Sequence, residues 1–315
     1  MPRLSVLLPA RNAESTVARA VRSTLVALPP DAELVVADDG SADRTAERAL
    51  AGATRRGVVD PRLRLVDAAP GPGGITRVLT QLLETTDSEL VGRMDADDIS
   101  LPGRFGVALG RLDAGDDMVF LQQIELREPA DGGRRRIVPR APYPIGPDEF
   151  PLHLLLTNPV CHPTMVASRR LLERVGGYRD VPAEDYDLWL RSASAGARLR
   201  RLGRWGLVYR VHPAQTTASA RWRSASWTDE RQQDAFAELS ERLTGVRLQR
   251  IVSLAALPPA EREAGLARFT AAVEPVIAAL GPRRAAVLTR RLAARRSWLR
   301  AQQSPSAQHL QGETA

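Results

Sequence analysis

Asp95-Ala96-Asp97-Asp98 sets three carboxylates within four residues, directly after an apolar run. Like charges this close repel one another, and a cation relieves the repulsion. Two carboxylates one residue apart at a strand end can direct one toward a ribose and the other toward a divalent ion that grips a diphosphate. The same residues also suit a surface turn, with Asp98 or Ser100 capping a helix that begins near Pro102. A second acidic pair, Asp38-Asp39, runs into Gly40-Ser41, and a third, Glu184-Asp185, opens an amphipathic segment. Acids in a first helical turn complement the helix dipole; beside an acceptor hydroxyl, one can take a proton.

The elements that must position these groups follow from hydrophobic periodicity. Strands are expected over 4–8, 33–37, 63–66 and 89–94, and helices over 14–28, 43–55, 75–86 and from 101. Strand alternating with helix is the pattern of a parallel sheet covered on both faces. Pro9 to Asn12, Asp38-Asp39 and Asp95 then all follow carboxyl ends of strands, the edge along which such sheets hold ligands. Further on, strands are expected at 119–126 and 135–139 around the turn Asp131-Gly132-Gly133, and a last strand at 207–211. Helices are expected at 152–157, 171–175 and 184–194, then from about 228 to 300 with breaks at Pro258-Pro259 and Gly281-Pro282. This divides the chain into a catalytic domain, 1–225, with a nucleotide-binding part (1–100) and an acceptor side (101–225). A helical extension, 226–303, follows, then a disordered tail, 304–315.

The chain has 315 residues, 43% hydrophobic, enough for one sizeable core and an appendage. Its net charge is +7 and it contains no lysine, so every basic side chain is an arginine, a bias that points to a GC-rich genome. Such a balance suits nucleic acid, an anionic membrane or a phosphate-bearing substrate alike. Cys161 is the one cysteine, which excludes an intramolecular disulfide and a thiolate metal cluster and fits a reducing cytoplasm. The N-terminal apolar run is too short for a signal segment, and nowhere do about 18 apolar residues run together. The expectation is a cytoplasmic protein, at most peripheral at the inner membrane surface. Arg283, Arg284, Arg290, Arg291, Arg295, Arg296 and Arg300 accompany Val287, Leu288, Leu292 and Leu299 in one segment. Such a helix could lie on an anionic bilayer, pair with a second copy, or dock its apolar side on the protein.

Six segments carry a resemblance. Ser5 to Glu14, Asp38 to Thr45, Arg93 to Asp98, Gly176-Gly177-Tyr178, Glu184 to Arg191 and Tyr209 to His212 follow one another over roughly residues 3 to 215. In this order the chain resembles the inverting family 2 glycosyltransferases of the GT-A fold. That implies an α/β, Rossmann-like, mostly parallel sheet flanked by helices, with a helical C-terminal extension. It also implies transfer of a sugar from a nucleotide-sugar donor, a UDP-sugar by preference, to an acceptor hydroxyl. By the same likeness, Pro9, Arg11, Glu14 and Asp39 hold the base, with Asp38 in support and Arg77 reaching base or phosphates. Asp95-Ala96 contacts the nucleotide, Asp95, Asp97 and His212 hold Mn2+ or Mg2+, and Asp185 with Glu184 activates the acceptor, while His162 lines the acceptor cleft. Arg11 stands where an aromatic residue is frequent, and Thr80 where many relatives have asparagine. Arg204-Trp205 and Arg221-Trp222 lack the preceding glutamine of processive synthases, so single additions are expected. Two other readings are a sugar-phosphate nucleotidyltransferase, whose Gly-x-Gly-x-Arg loop is absent, and a basic module for membrane or nucleic acid. No nucleic-acid partner is expected.

Overall fold

Nine strands form the main sheet: β1 (Leu4–Ala10), β2 (Ala32–Asp38), β3 (Leu63–Asp67), β4 (Leu90–Arg93), β5 (Ile99–Ser100), β6 (Met118–Arg127), β7 (Arg136–Pro139), β8 (Val166–Ser168) and β9 (Leu199–Val211). The helices are α1 (Val17–Ala27), α2 (Thr45–Ala53), α3 (Gly74–Glu84), α4 (Arg104–Asp113), α5 (Phe150–Leu156), α6 (Arg169–Arg174), α7 (Glu184–Ser194), α8 (Ala220–Thr228), α9 (Glu230–Thr244), α10 (Ile251–Leu254), α11 (Pro259–Ala278) and α12 (Pro282–Ala301). The structure is a computed structural model and describes residues 1–69, 74–129, 133–139, 141–212, 215 and 219–302. Two expectations, the turn at Asp131-Gly132 and the tail from 304, lie outside those residues.

Contacts divide the chain into two units. The first comprises Met1–Pro147, Val160–Asp180 and Ala195–Ala218, and the second Asp148–Pro159, Val181–Ser194 and Ser219–Ala315. This differs from a single cut near residue 225, because α5 and α7 cluster with the C-terminal helices.

In the first unit the strand order is β3-β2-β1-β4-β8-β6-β9-β5, with β7 paired to β6. The first four strands are parallel, as the alternation predicts. β8 then runs antiparallel between β4 and β6, so the sheet is mixed, although β6 and β9 again pair in parallel. β1 lies inside the sheet, and Leu4, Val6, Leu7 and Leu8 are fully buried because side chains on both faces meet covering layers. α1 buries Val17, Ala20, Val21, Thr24 and Leu25, the stripe its 3.6-residue period brings to one side.

α1 and α2 approach closely at Gly52, where a β-carbon would come within 2.5 Å of the Ala18 carbonyl oxygen and 2.9 Å of its Cα. Backbone cannot yield as a side chain does. Gly52→Ala is therefore expected to lower unfolding free energy by about 1–3 kcal/mol, read from the urea midpoint. A midpoint equal to wild type would show that the helices separate without strain.

In the second unit α5, α7, α9, α11 and α12 pack together. Phe236 stacks on Phe269 with centroids 6.4 Å apart, and Trp227 meets Trp298 edge-on at 5.7 Å. In α12, Leu288, Leu292 and Leu299 are buried, Arg291 donates to His153 Nδ1 at 3.0 Å, and Arg295 Nε to the Leu156 carbonyl at 2.7 Å. The apolar side of this helix is thus spent on the fold, leaving none to insert into lipid. Among the described residues, no helix is long and apolar enough to cross a membrane.

Candidate functional site

The carboxyl ends of β1 and β2 join into one lip. The Asp39 amide donates to the Ala10 carbonyl at 2.8 Å, extending the strand pairing by one residue. Asn12 takes a left-handed conformation (φ 48°), which asparagine tolerates. Its amide donates to Ser41 Oγ at 2.9 Å, and its Oδ1 accepts the Ala42 amide at 2.9 Å. Asp38 Oδ1 accepts both the amide (3.0 Å) and the hydroxyl (2.6 Å) of Ser41, which closes the turn over Gly40, whose φ of 64° suits glycine. Asp38 is thereby a supporting residue of the lip. Glu14 serves it as well: its carboxylate takes Arg44 Nε at 2.8 Å, and that hydrogen bond lowers its pKa.

Asp39 is held by cationic side chains. Its carboxylate pairs with Arg77 of α3, while the exposed Arg11 reaches within 3.8 Å. Arg77, Thr76, Thr80 and Tyr178 line a cavity of about 500 Å³. Asp38 and Asp67, with Thr45 and Ala49, line a smaller one of about 210 Å³. Pro9 is half-buried within the paired part of β1.

Beyond β4 the acidic turn is held from several sides. Buried Arg93 donates to Asp95 Oδ1 at 2.6 Å. Asp98, 1% exposed, accepts the Arg210 amide of β9 at 2.8 Å, and Arg210 Nε donates to the Asp97 carbonyl at 3.0 Å. The Arg210 guanidinium also pairs with Glu128. β9 thereby delivers His212, whose Nε2 lies 3.2 Å from Asp97 Oδ2. Ala96 is partly buried against the core. Helix capping does not account for Asp98 or Ser100, since the residue before α4 is Gly103.

One ligand atom from each of Asp95, Asp97 and Asp98 lies within 4.8 Å of the others. Burial raises the pKa of Asp97 and, well above the carboxylate range, that of Asp98, and the neighbouring carboxylates add to both. Asp98 Oδ2 is buried without a hydrogen-bond partner. Hard oxygen donors crowded together, one of them orphaned, fit Mg2+ or Mn2+, and an imidazole beside them favours manganese.

Arg104 is a site residue that sequence reasoning missed. Fully buried, it donates through Nη2 to the carbonyls of Arg93 (2.8 Å) and Pro163 (2.6 Å), bracing the strand that bears the acidic turn. Burial lowers its pKa to about 10, which leaves it charged. Nothing in its sequence neighbourhood separates it from a solvated helical arginine.

His162 bonds through Nε2 to the Tyr178 hydroxyl at 2.9 Å. Burial, reinforced by the Arg93 guanidinium, holds its imidazole well below the usual range. The native ring stays neutral while the unfolded chain takes up a proton below about pH 6.5. Its stabilising contribution is thus full above that pH and falls below it by up to about 1.4 kcal/mol per pH unit. Urea midpoints measured across this range should decline less steeply in His162→Gln than in wild type. Equal slopes would assign the acid loss to other groups.

In the second unit, Glu184 and Asp185 open α7, both half-buried. Asn158 Nδ2 donates to Asp185 Oδ2 at 3.0 Å. Gln232 of α9 anchors the residue before the helix by donating to the Ala183 carbonyl at 2.7 Å.

The parallel strand ends thus carry a lip of backbone and carboxylates at β1 and β2 and a carboxylate triad after β4. Residues 5–176 match the family described as Glycosyl transferase family 2, and the chain belongs to it. It is 26% identical over 208 residues to the putative glycosyltransferase EpsE of Bacillus subtilis, covering 62% of this chain and 69% of that protein. It is 39% identical over 108 residues to the succinoglycan biosynthesis protein ExoU of Rhizobium meliloti, covering 34% of this chain and 29% of that one. Among solved structures, S. aureus TarS 1–349 in complex with UDP-GlcNAc superposes with a TM-score of 0.58 at 18% identity, covering 98% of this chain and 92% of that chain. That likeness shows the GT-A-like fold: a mixed sheet flanked by helices.

Proposed function

We propose that this family 2 glycosyltransferase moves one sugar at a time from a UDP-sugar to an acceptor hydroxyl, with inversion at the anomeric carbon. The observation that carries the reading is the meeting of Asp97 with His212 at 3.2 Å inside the carboxylate cluster that follows β4. The similar TarS structure holds UDP-GlcNAc, which supports a uridine nucleotide here. Asp39 and Arg77 bind the base, with Pro9 and Arg11 at its edge, and Glu14 and Asp38 keep the lip in shape. Asp95, Asp97, Asp98 and His212 are the residues that would hold Mn2+ or Mg2+, which when bound neutralises charge on the departing diphosphate. Asp95, partly neutralised by Arg93, also accepts from the ribose. Asp185 takes the proton of the attacking hydroxyl, and Glu184 beside it keeps the helix start acidic.

A nucleotide-sugar hydrolysis screen, run with manganese, with magnesium and with chelator, tests the reading. Slow hydrolysis of one UDP-sugar in the metal arms alone is the expected result. Hydrolysis of a donor with another nucleotide overturns the base assignment, activity in chelator overturns the metal, and failure with every donor overturns the transferase reading.

A further inference from the structure

Of the residues assigned to the nucleotide, Arg77 lines the cavity of about 500 Å³, whereas Asp39, Pro9, Arg11 and the carboxylates after β4 do not. The main wall of this cavity is one side of α3. Thr76, Arg77, Thr80 and Glu84 recur at the spacing that brings a helix back to the same face. Gln81, beside them, is committed: its Oε1 accepts the Ala69 amide at 2.8 Å and its Nε2 donates to the Asp67 carbonyl at 3.0 Å, which holds the chain after β3 as a rim. The opposite wall is the turn after α6, with Tyr178 and Asp180. A β-carbon on Gly177 would lie 3.9 Å from Leu83, so that turn packs directly on α3.

The chemistry of the walls selects the occupant. Arg77 Nη2 is taken by Asp39, whereas Nε and Nη1 are buried without a hydrogen-bond partner. Buried donors are nearly always satisfied, so an accepting group belongs beside them. Glu84 and Asp180 bring carboxylates to the same cavity, and the charge of Arg77 is already matched by Asp39, so the walls carry net negative charge. That disfavours a phosphate or a uronate. A metal ion fits no better, because among the described residues neither carboxylate belongs to a group of three metal-ligating side chains, and guanidinium donors repel a cation. A hydroxyl meets both demands: it accepts from the guanidinium and donates to a carboxylate. A neutral molecule that carries several hydroxyls is a sugar. The volume lies within the range of about 300–1,000 Å³ that buries small ligands. Glu84 and Asp180 are exposed, so the cavity opens outward there and a longer chain can continue into solvent. Deeper in, Tyr178 is 8% exposed and bonds to His162, which lies close to Arg93, the residue that holds Asp95. The cavity thus adjoins the nucleotide site at Arg77 and backs onto the support of the acidic turn.

We propose that this cavity is a subsite for neutral sugar residues of the acceptor, which makes the acceptor a saccharide chain. The acceptor role rests on the transferase reading; the capacity to bind sugar does not.

Saturation-transfer NMR on the full chain tests it, with maltose, cellobiose, lactose and diacetylchitobiose as probes and glucuronate as the anionic control. At least one neutral disaccharide should bind, glucuronate should not, and UDP with manganese should leave the bound disaccharide in place. Thr80→Val combined with Glu84→Ala should weaken that binding by at least about tenfold, the scale of losing a hydrogen bond to a charged group. UDP affinity, read by calorimetry, should stay within about twofold. Glu84 is exposed and Thr80 half-buried, so the melting temperature should hold, and Glu84→Ala alone should give a smaller loss in the same direction. With UDP-sugar and manganese present, the disaccharide that binds should gain one sugar, read by mass spectrometry. Absence of binding by every neutral disaccharide, with UDP bound normally, overturns the proposal and leaves the transferase reading standing. Equal binding by wild type and the double variant overturns the placement in this cavity, and displacement by UDP gives the cavity to the nucleotide. Binding without extension, under conditions where the donor is hydrolysed, overturns the acceptor role.

Discussion

Calorimetry on Asp97→Ala will show UDP binding equally well in manganese and in chelator, whereas in the wild-type protein each ligand strengthens the other by at least about tenfold. The coupling arises because few protein groups face the ion: Asp95 is partly engaged by Arg93 at 2.6 Å, and one oxygen of Asp98 by the Arg210 amide at 2.8 Å. Asp97 is the carboxylate whose side-chain partner is the His212 imidazole, itself assigned to the cation. Removing it leaves a weakened site that the diphosphate alone cannot complete. Turnover should fall by about 10³-fold, the scale of losing several kcal/mol of charge stabilisation. His212→Ala should weaken the coupling without abolishing it, since a nitrogen ligand is lost while the oxygen set persists. The Asp97 carboxylate is 32% exposed, so the variant should fold as wild type does. UDP binding equally well to the wild-type protein in chelator and in manganese would recast the acidic cluster as a ribose contact and a clamp on β9.

That clamp shows where sequence reading stopped. Asp95 and Asp97 stand out by their place at a strand end and His212 by the family resemblance, and the parallel edge of β1, β2 and β4 follows from periodicity alone. α7 runs over 184–194, the bounds its pattern predicts. β5 and β8, of two and three residues, are too short for any period to register, yet β8 is what turns the sheet from parallel to mixed. β9 begins at Leu199 rather than near 207, because Arg200, Arg201 and Arg204 read as a polar loop. In the fold, Arg200 reaches Asp116 at 2.6 Å and Arg201 the Tyr143 carbonyl at 2.8 Å.

The same ambiguity hid Arg93 and Arg104. In a chain whose basic residues are all arginine, the planar five-donor guanidinium serves as an internal hydrogen-bond hub as readily as a surface charge. Spacing cannot tell the two uses apart. The division into units was hidden for a related reason: α5 and α7 show ordinary amphipathic patterns, and only contacts such as Arg295 with the Leu156 carbonyl assign them to the C-terminal helices.

Asp185→Asn separates a chemical role from a structural one. The substitution keeps the shape of the side chain but removes the charge and the proton affinity. If Asp185 only complements the dipole of α7, the variant loses about 0.3–1 kcal/mol of stability and little activity. Even that loss should be small, because Glu184 and Asp187 remain in the same turn and Gln232 still anchors the Ala183 carbonyl. If Asp185 is the general base, transfer falls by about 10²–10⁴-fold while UDP-sugar affinity stays within about twofold. The acceptor-independent hydrolysis of donor adds a further readout, since water needs less help from a positioned base than from the donor site itself. Hydrolysis should therefore fall less than transfer. Near-normal transfer in Asp185→Asn would remove this residue from the mechanism while leaving the nucleotide lip and the acidic turn as assigned. A parallel collapse of transfer, hydrolysis and UDP affinity would instead mean that the α7 start shapes the donor site, and Asp185 would be a positioning residue and not the base.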